Sequence, residues 1–128
     1  MQTRKRIAQT LVVVGNVALF VLGYGHTKGG LPVVSKTVSD AKASPFFAAG
    51  LKTLWVLMSW HWVVFGVIAL TAAFGKRAPH RVALFLCGLA ILVDAAATVA
   101  RVGWFIGNEL LAVAAVAILG ATALFPAP

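Results

Sequence analysis

The stretch LFLCGLAILVDAAATVAR, residues 84–101, decides the fold that the sequence predicts. It is long and apolar enough for a membrane-spanning helix, which needs about 20 mostly apolar residues. One carboxylate, Asp94, lies well inside it. Because a carboxylate in the interior of a bilayer is costly, Asp94 requires a partner or a function.

The composition of the whole chain agrees with a membrane protein. Of its 128 residues, 61% are hydrophobic and only 11% are charged, whereas soluble domains are about 45–50% apolar and about 25% charged. The net charge is +8, from 11 basic and 3 acidic residues. The basic residues lie mostly between apolar runs, as they do in membrane proteins. This placement predicts contact with anionic membrane lipids and no nucleic-acid binding.

Four apolar segments predict an all-α integral membrane protein: one domain of four transmembrane helices in an up-down-up-down bundle. The predicted spans cover residues 7–23, 46–74, 82–100 and 107–125. The first span follows a basic head, as in a signal peptide, but no small-x-small cleavage site comes after it, so we interpret it as a retained helix. Ser44 and Pro45 are typical N-cap and first-turn residues and predict the start of the second helix.

Residues 24–44 form the longest polar segment. Gly29, Gly30 and Pro32 are expected to break any helix there, with one short helix or turn possible over residues 35–43. We therefore predict an extracytoplasmic loop, because the basic residues of the opposite side are packed into two short segments. That denser set comprises Arg4, Lys5, Arg6, Lys76, Arg77 and Arg81. It predicts that both termini are cytoplasmic, and we expect the membrane to be the bacterial plasma (inner) membrane.

Counting residues from the cytoplasmic ends gives the depth of the polar side chains. Asp94 lies about 18 Å and His61 about 20 Å from those ends at 1.5 Å per residue, so the two are at similar depth. The face of Asp94 is made of small residues, which predicts that it packs against protein. We expect its partner to be His61, Arg101 or a tryptophan N–H. The candidate ligand-binding or proton-linked residues are Asp94, His61, Arg101, Glu109, Trp62 and Tyr24.

Cofactors and catalytic groups are not indicated by the sequence. Cys87 is the one cysteine, so it can form no internal disulfide or CxxC motif, and we expect it to be a small buried residue. His26 and His80 lie in predicted loops on opposite sides, which argues against a metal or haem. Asn16, near the middle of the first span, is expected to hydrogen-bond to a neighbouring helix.

Several functions remain open at this point. The favoured hypothesis is a binding or accessory subunit that packs with copies of itself or with a larger membrane complex and holds a lipid or another lipophilic ligand. The alternative is a small proton-coupled transporter that uses Asp94 and His61, and a membrane enzyme acting on a lipophilic substrate is less favoured. A purely structural pair that fixes the helix register also explains Asp94.

Overall fold

A computed structural model describes residues 2–75 and 80–125. Every element in these ranges is helical, and they follow in the order α1 (Gln2–Gly25), a π-helical turn (His26–Gly30), α2 (Leu31–Asp40), α3 (Pro45–Phe74), α4 (Arg81–Val102) and α5 (Ile106–Leu124). Because α1, the π-turn and α2 are continuous, four helical segments result, and each is long and apolar enough to cross a membrane. The all-helical fold with four such segments is confirmed. Lys76 and Arg77 of the predicted basic loop lie outside the described residues.

The last three long helices begin and end close to their predicted bounds. Ser44 caps α3 as predicted, since its Oγ accepts a hydrogen bond from Phe47 N at 3.3 Å. Pro45 follows as the first helical residue, where its missing N–H costs nothing. Between α4 and α5, Gly103 takes a positive φ of 90°, a conformation that glycine adopts most readily.

The predicted loop over residues 24–44 is wrong, because the helix continues to Asp40. Gly30 has ordinary helical angles, and its missing Cβ makes room for the ring of Trp55, whose Cζ2 would lie 2.6 Å from a Cβ there. Pro32 lies directly after the π-turn, in the first turn of α2, where the change in hydrogen-bond pattern accommodates its missing N–H. The π-turn absorbs the irregularity between the two helices. Tertiary packing has overridden the local helix-breaking signals.

The four long helices pack as a ring in which α5 contacts α1 and α4, and α3 contacts the same two helices. The seams of α5 are close: a Cβ at Gly15 of α1 would lie 3.2 Å from Ala114 O, and one at Gly88 of α4 would lie 2.7 Å from Leu119 Cγ. Small residues of this kind let helix backbones approach each other. The contact between α3 and α4 is less extensive than the other three.

The sequence led to expectations for two residues, Cys87 and Asn16, that lie in this ring of helices. Cys87 is buried, as expected. Asn16 is also buried, but its Nδ2 donates to Val12 O of its own helix at 3.0 Å, so the predicted bond to a neighbouring helix is wrong. Its Oδ1 instead lies against Gly66 of α3 and accepts no hydrogen bond from the described residues. The absence of a side chain at Gly66 makes room for the amide, because a Cβ there would lie 2.4 Å from Asn16 Oδ1.

The outward faces of all four long helices carry large apolar side chains. They include Val13, Val17, Phe20, Leu57, Val64, Val67, Phe85, Leu89, Val93, Val113 and Val116. Surfaces that face lipid have this composition, because the hydrocarbon core of a bilayer contains no water to hydrogen-bond polar groups.

Substitution of Gly15 tests the close α1–α5 seam. We expect Gly15→Leu to destabilise the bundle by roughly 1–3 kcal/mol, because the added side chain is forced against the α5 backbone. Gly25→Leu is the matched control, since a Cβ at Gly25 on the same helix meets nothing within 4 Å. Thermal unfolding in detergent, followed by circular dichroism, measures both. Equal melting temperatures for the two variants would contradict the described packing.

Candidate functional site

The structure brings together three of the predicted site residues where α3 faces α4. His61 Nε2 lies 2.7 Å from Asp94 Oδ2, and Trp62 Nε1 donates to the same oxygen at 3.2 Å. His61 and Trp62 are adjacent on α3, so they reach the carboxylate from two directions. Two of the three partners expected for Asp94, the histidine and a tryptophan N–H, are therefore present together.

Asp94 is more exposed than the sequence predicted, since its side chain was expected to pack against protein. The side chain of Asp94 is 19% exposed and that of His61 is 38% exposed. The buried residues of α4 lie mostly to one side of Asp94, at Leu84, Cys87, Gly88, Ile91 and Ala95. The pair consequently lies at the rim of the bundle, in the seam between α3 and α4.

Three predicted residues do not join this cluster. Arg101 is exposed, and its Cα lies about 10 Å further along α4 than that of Asp94 at 1.5 Å per residue. In the part of the chain that the structure describes, the ion pairs are His61–Asp94 and Lys36–Asp40. Glu109 is exposed and accepts a hydrogen bond from Trp104 Nε1 at 3.3 Å. Tyr24 is 69% exposed on α1.

A second polar cluster, which the sequence did not predict, surrounds His26 of the π-turn. His26 Nδ1 lies 3.0 Å from Ser59 Oγ, and Trp55 Nε1 donates to the backbone oxygen of His26 at 2.7 Å. The rings of His26 and Trp55 are stacked, with centroids 3.9 Å apart. The i, i+4, i+7 spacing of Trp55, Ser59 and Trp62 on α3 was an available signal. It was missed because His26 was expected to lie in a loop.

Trp62 connects the two clusters. Its ring packs edge-on against His26 at a centroid distance of 5.0 Å, while its N–H bonds to Asp94. Trp62 is only 4% exposed, so it fills the space on the bundle side of the His61–Asp94 pair. The part of the Trp62 ring that packs against His26 cannot carry a proton between His26 and Asp94. The two clusters therefore share a packed side chain but no hydrogen bond.

The His61 side of the pair opens onto an apolar groove along the outer face of α3. The groove is a shallow depression of about 700 Å³ that is mostly open to the outside, and every residue that lines it belongs to α3. This volume lies within the range of small-molecule sites, about 300–1,000 Å³. Its lining residues are Leu54, Leu57, Met58, Trp60, His61, Val64 and Phe65. His61 is the single ionisable member of this set, so a ligand in the groove would meet one titratable group.

The arrangement does not resemble a metal site. Within residues 2–75 and 80–125, no group of three or more histidine, cysteine, aspartate or glutamate side chains is close enough to share an ion. The chemistry available to the His61–Asp94 pair is hydrogen bonding and the sharing of a proton.

Removal of the carboxylate tests the role of the pair in stability. We expect Asp94→Ala to destabilise the bundle by about 1–3 kcal/mol, because the buried N–H of Trp62 loses its acceptor. Asp40→Ala is the control, since that aspartate forms only an exposed ion pair with Lys36, and such pairs contribute little. Thermal unfolding followed by near-ultraviolet circular dichroism of the tryptophans measures the change. An unaltered melting temperature for Asp94→Ala would show that the contact carries no stabilisation.

Comparisons of this chain with models of protein families, with curated proteins and with solved structures found no significant match. Its function must therefore be inferred from the geometry around His61, Trp62 and Asp94.

Proposed function

We propose that this chain is an integral membrane protein that binds a lipophilic small molecule in the groove along α3, with the polar end of the ligand at His61. The observation that carries the proposal is the partly exposed His61–Asp94 pair, whose histidine borders an apolar groove. Ligand sites combine a mostly apolar wall with a few placed polar groups. The protein would act as a binding or accessory subunit, alone, as a homo-oligomer or within a larger membrane complex.

The location in a membrane is supported by the four long apolar helices and by their apolar outer faces. We propose an up-down-up-down crossing, because the connections after α2 and α4 are short. A helical bundle suits a bacterial plasma membrane, since outer-membrane proteins are β-barrels. We propose that both termini lie in the cytoplasm, because Arg4, Lys5 and Arg6 lie in the first turns of α1 and basic residues concentrate on cytoplasmic sides.

The depth of the pair favours binding over a purely structural role. His61 is 13 residues from Phe74, or about 20 Å along α3, so in a membrane it lies near the bilayer centre. Polar groups at that depth are costly and usually serve ligands, ions or protons. A pair that only fixed the register of α3 and α4 would be most stable when fully covered, whereas 38% of the His61 side chain is exposed.

Proton-coupled transport is the second candidate, favoured by the 2.7 Å contact between a histidine and a carboxylate on neighbouring helices. Such a pair can take up and release a proton. Four helices give a narrow pathway, so this function would require a dimer. Proton-driven flux in liposomes that persists in Asp94→Asn would exclude the role of Asp94 in it.

The proposed orientation is tested by cysteine labelling. In a Cys87→Ala background, we expect Ser39→Cys in α2 to react with a membrane-impermeant maleimide in intact bacterial cells. Gln2→Cys at the start of α1 should react only after the cells are permeabilised. Both positions are exposed in the structure, so access to the reagent depends on the side of the membrane. If Gln2→Cys reacts in intact cells and Ser39→Cys reacts only after permeabilisation, the orientation is the opposite of the proposed one.

Ligand binding is tested with photoreactive probes in phospholipid nanodiscs. The probes are a long dialkyl ketone and the corresponding secondary alcohol, compared with the corresponding alkane, each with a diazirine near one chain end. We expect the two polar probes to label the 54–65 segment several times more strongly than the alkane, because His61 offers the one titratable partner in the groove.

The controls for this experiment use two histidines. His61→Phe should reduce labelling by the polar probes to the level of the alkane, since it keeps an aromatic ring but removes the hydrogen bond. His80→Phe should leave labelling unchanged, because His80 is exposed at the far end of the helix pair. Equal labelling of the wild type by all three probes would reject the binding function.

A further inference from the structure

We propose that the extracytoplasmic end of this chain carries a docking surface for an acidic segment of a partner protein. The surface belongs to the outer hairpin, which comprises residues 31–52: α2, the turn that follows it and the first two turns of α3. The proposal rests on the membrane crossing proposed above and does not require a ligand in the α3 groove. Three features of the outer hairpin support it: its height above the membrane, its exposed aromatic side chains and its charge.

The outer hairpin projects beyond the other two helices of the bundle. Within it, α2 packs on α3 and on the π-turn. The contact between His61 and Asp94 gives the relative height of α3 and α4. Val102, the last residue of α4, is eight residues past Asp94, so it reaches the level of α3 eight residues before His61. The outer hairpin therefore extends about 12 Å past the turn between α4 and α5 at 1.5 Å per residue.

The turn between α4 and α5 marks the outer boundary of the hydrocarbon core. Arg81 and Arg101 lie 20 residues apart near the two ends of α4, a distance of about 30 Å that equals the thickness of a typical core. Trp104 is 65% exposed in the turn itself, and tryptophan is common at this level of a membrane. Because the head-group layer adds only about 5–8 Å on each side, the tip of the outer hairpin lies in water.

Two adjacent aromatic side chains are exposed at this tip. Phe46 is 91% exposed and Phe47 is 59% exposed, at the start of α3. Phe46 stands about 10 Å above the end of α4 at 1.5 Å per residue, so the hydrocarbon core cannot cover it. Exposed apolar groups in water mark contact sites, and aromatic residues supply much of the binding energy in protein interfaces. A protein surface is therefore the occupant that fits the two phenylalanines.

The charge of the outer hairpin indicates which kind of protein fits. The hairpin contains three lysines, Lys36, Lys42 and Lys52, and a single acidic residue, Asp40. Asp40 is already paired with Lys36, so the tip beside the phenylalanines is basic. A second copy in the same membrane would present the same basic tip, and like charges at an interface are unfavourable. A partner segment that combines carboxylates with apolar side chains matches both features of the hairpin.

The backbone at Lys42 is a further indication that the tip binds something acidic. Its φ of 49° is left-handed, and Lys42 is the one non-glycine residue with a positive φ in the described parts of the chain. It follows the C-cap residue Ala41 of α2, at the position where helices commonly end in glycine. A side chain is unfavourable in this conformation, and strained backbone of this kind is typical of functional sites.

The proposal is tested by photo-cross-linking in the host's own cells, with p-benzoylphenylalanine in place of Phe46 or Phe47. We expect a discrete adduct with a different protein. Mass spectrometry of the adduct should place the cross-link in a segment in which aspartate and glutamate outnumber lysine and arginine. The same photoreactive residue in place of Phe20 is the matched control. Phe20 is an exposed aromatic residue in the membrane-spanning part of α1, so it should not give this adduct.

Two substitutions of Lys42 relate the adduct to the charge of the tip. Lys42→Gly removes the ammonium group and favours the left-handed backbone, so it should lower the adduct yield several-fold while the melting temperature stays equal or rises. Lys42→Arg keeps the charge and should retain most of the adduct. An adduct yield that is unchanged in Lys42→Gly would overturn the proposal, and loss of the adduct cannot then be attributed to unfolding.

The remaining outcomes also decide the question. An adduct with a second copy of the chain, with phospholipid alone or with a neutral or basic protein segment would overturn the proposal, as would the absence of a protein adduct from both positions. Such a failure is distinguishable from failure of the membrane crossing, because labelling of Ser39→Cys in the outer hairpin reports its side of the membrane separately. Photolabelling of the α3 groove would be unaffected.

Discussion

The contact between Asp94 and His61 is the interaction on which the candidate site depends. A carboxylate in an apolar helix must be neutralised or hydrogen-bonded, and α3 supplies two polar partners for Asp94, His61 Nε2 and Trp62 Nε1. This requirement fixes how far α3 slides along α4. It also constrains the orientation of the imidazole, because Nε2 is committed to Asp94.

The four helix–helix contacts of the bundle are not equally close, which explains why the Asp94–His61 contact lies at the edge of the bundle. The seams of α5 are built from glycine and alanine, and Gly15 and Gly88 allow near-contact of backbones. On α3, His61 and Phe65 lie one helical turn apart and their rings meet edge-on at 4.8 Å. The contact between α3 and α4 is the least extensive of the four, and part of the His61 side chain is exposed there.

The long helices were predicted from the sequence, and His61 was one of three predicted candidates for the partner of Asp94, because both predictions follow from distances along a regular helix. The apolar runs set the spans, and counting residues placed Asp94 and His61 at similar depth. The same count of residues excludes Arg101 from this contact, because its Cα lies about 10 Å further along α4 than that of Asp94. Continuation of the helix through Gly29, Gly30 and Pro32 could not be predicted, because it depends on a tertiary contact.

That tertiary contact is the docking of Trp55 on the π-turn. The ring occupies the space left by Gly30, its N–H satisfies a carbonyl of the turn, and its face stacks on His26. An extra residue in a helical turn rotates the following side chains relative to the preceding ones, and here the turn places His26 against α3. Trp62 then lies between His26 and Asp94 and is almost completely buried. With that ring occupying the bundle side, the partly exposed side chain of His61 borders the outer surface of α3, which is the side from which a lipid-soluble molecule would approach.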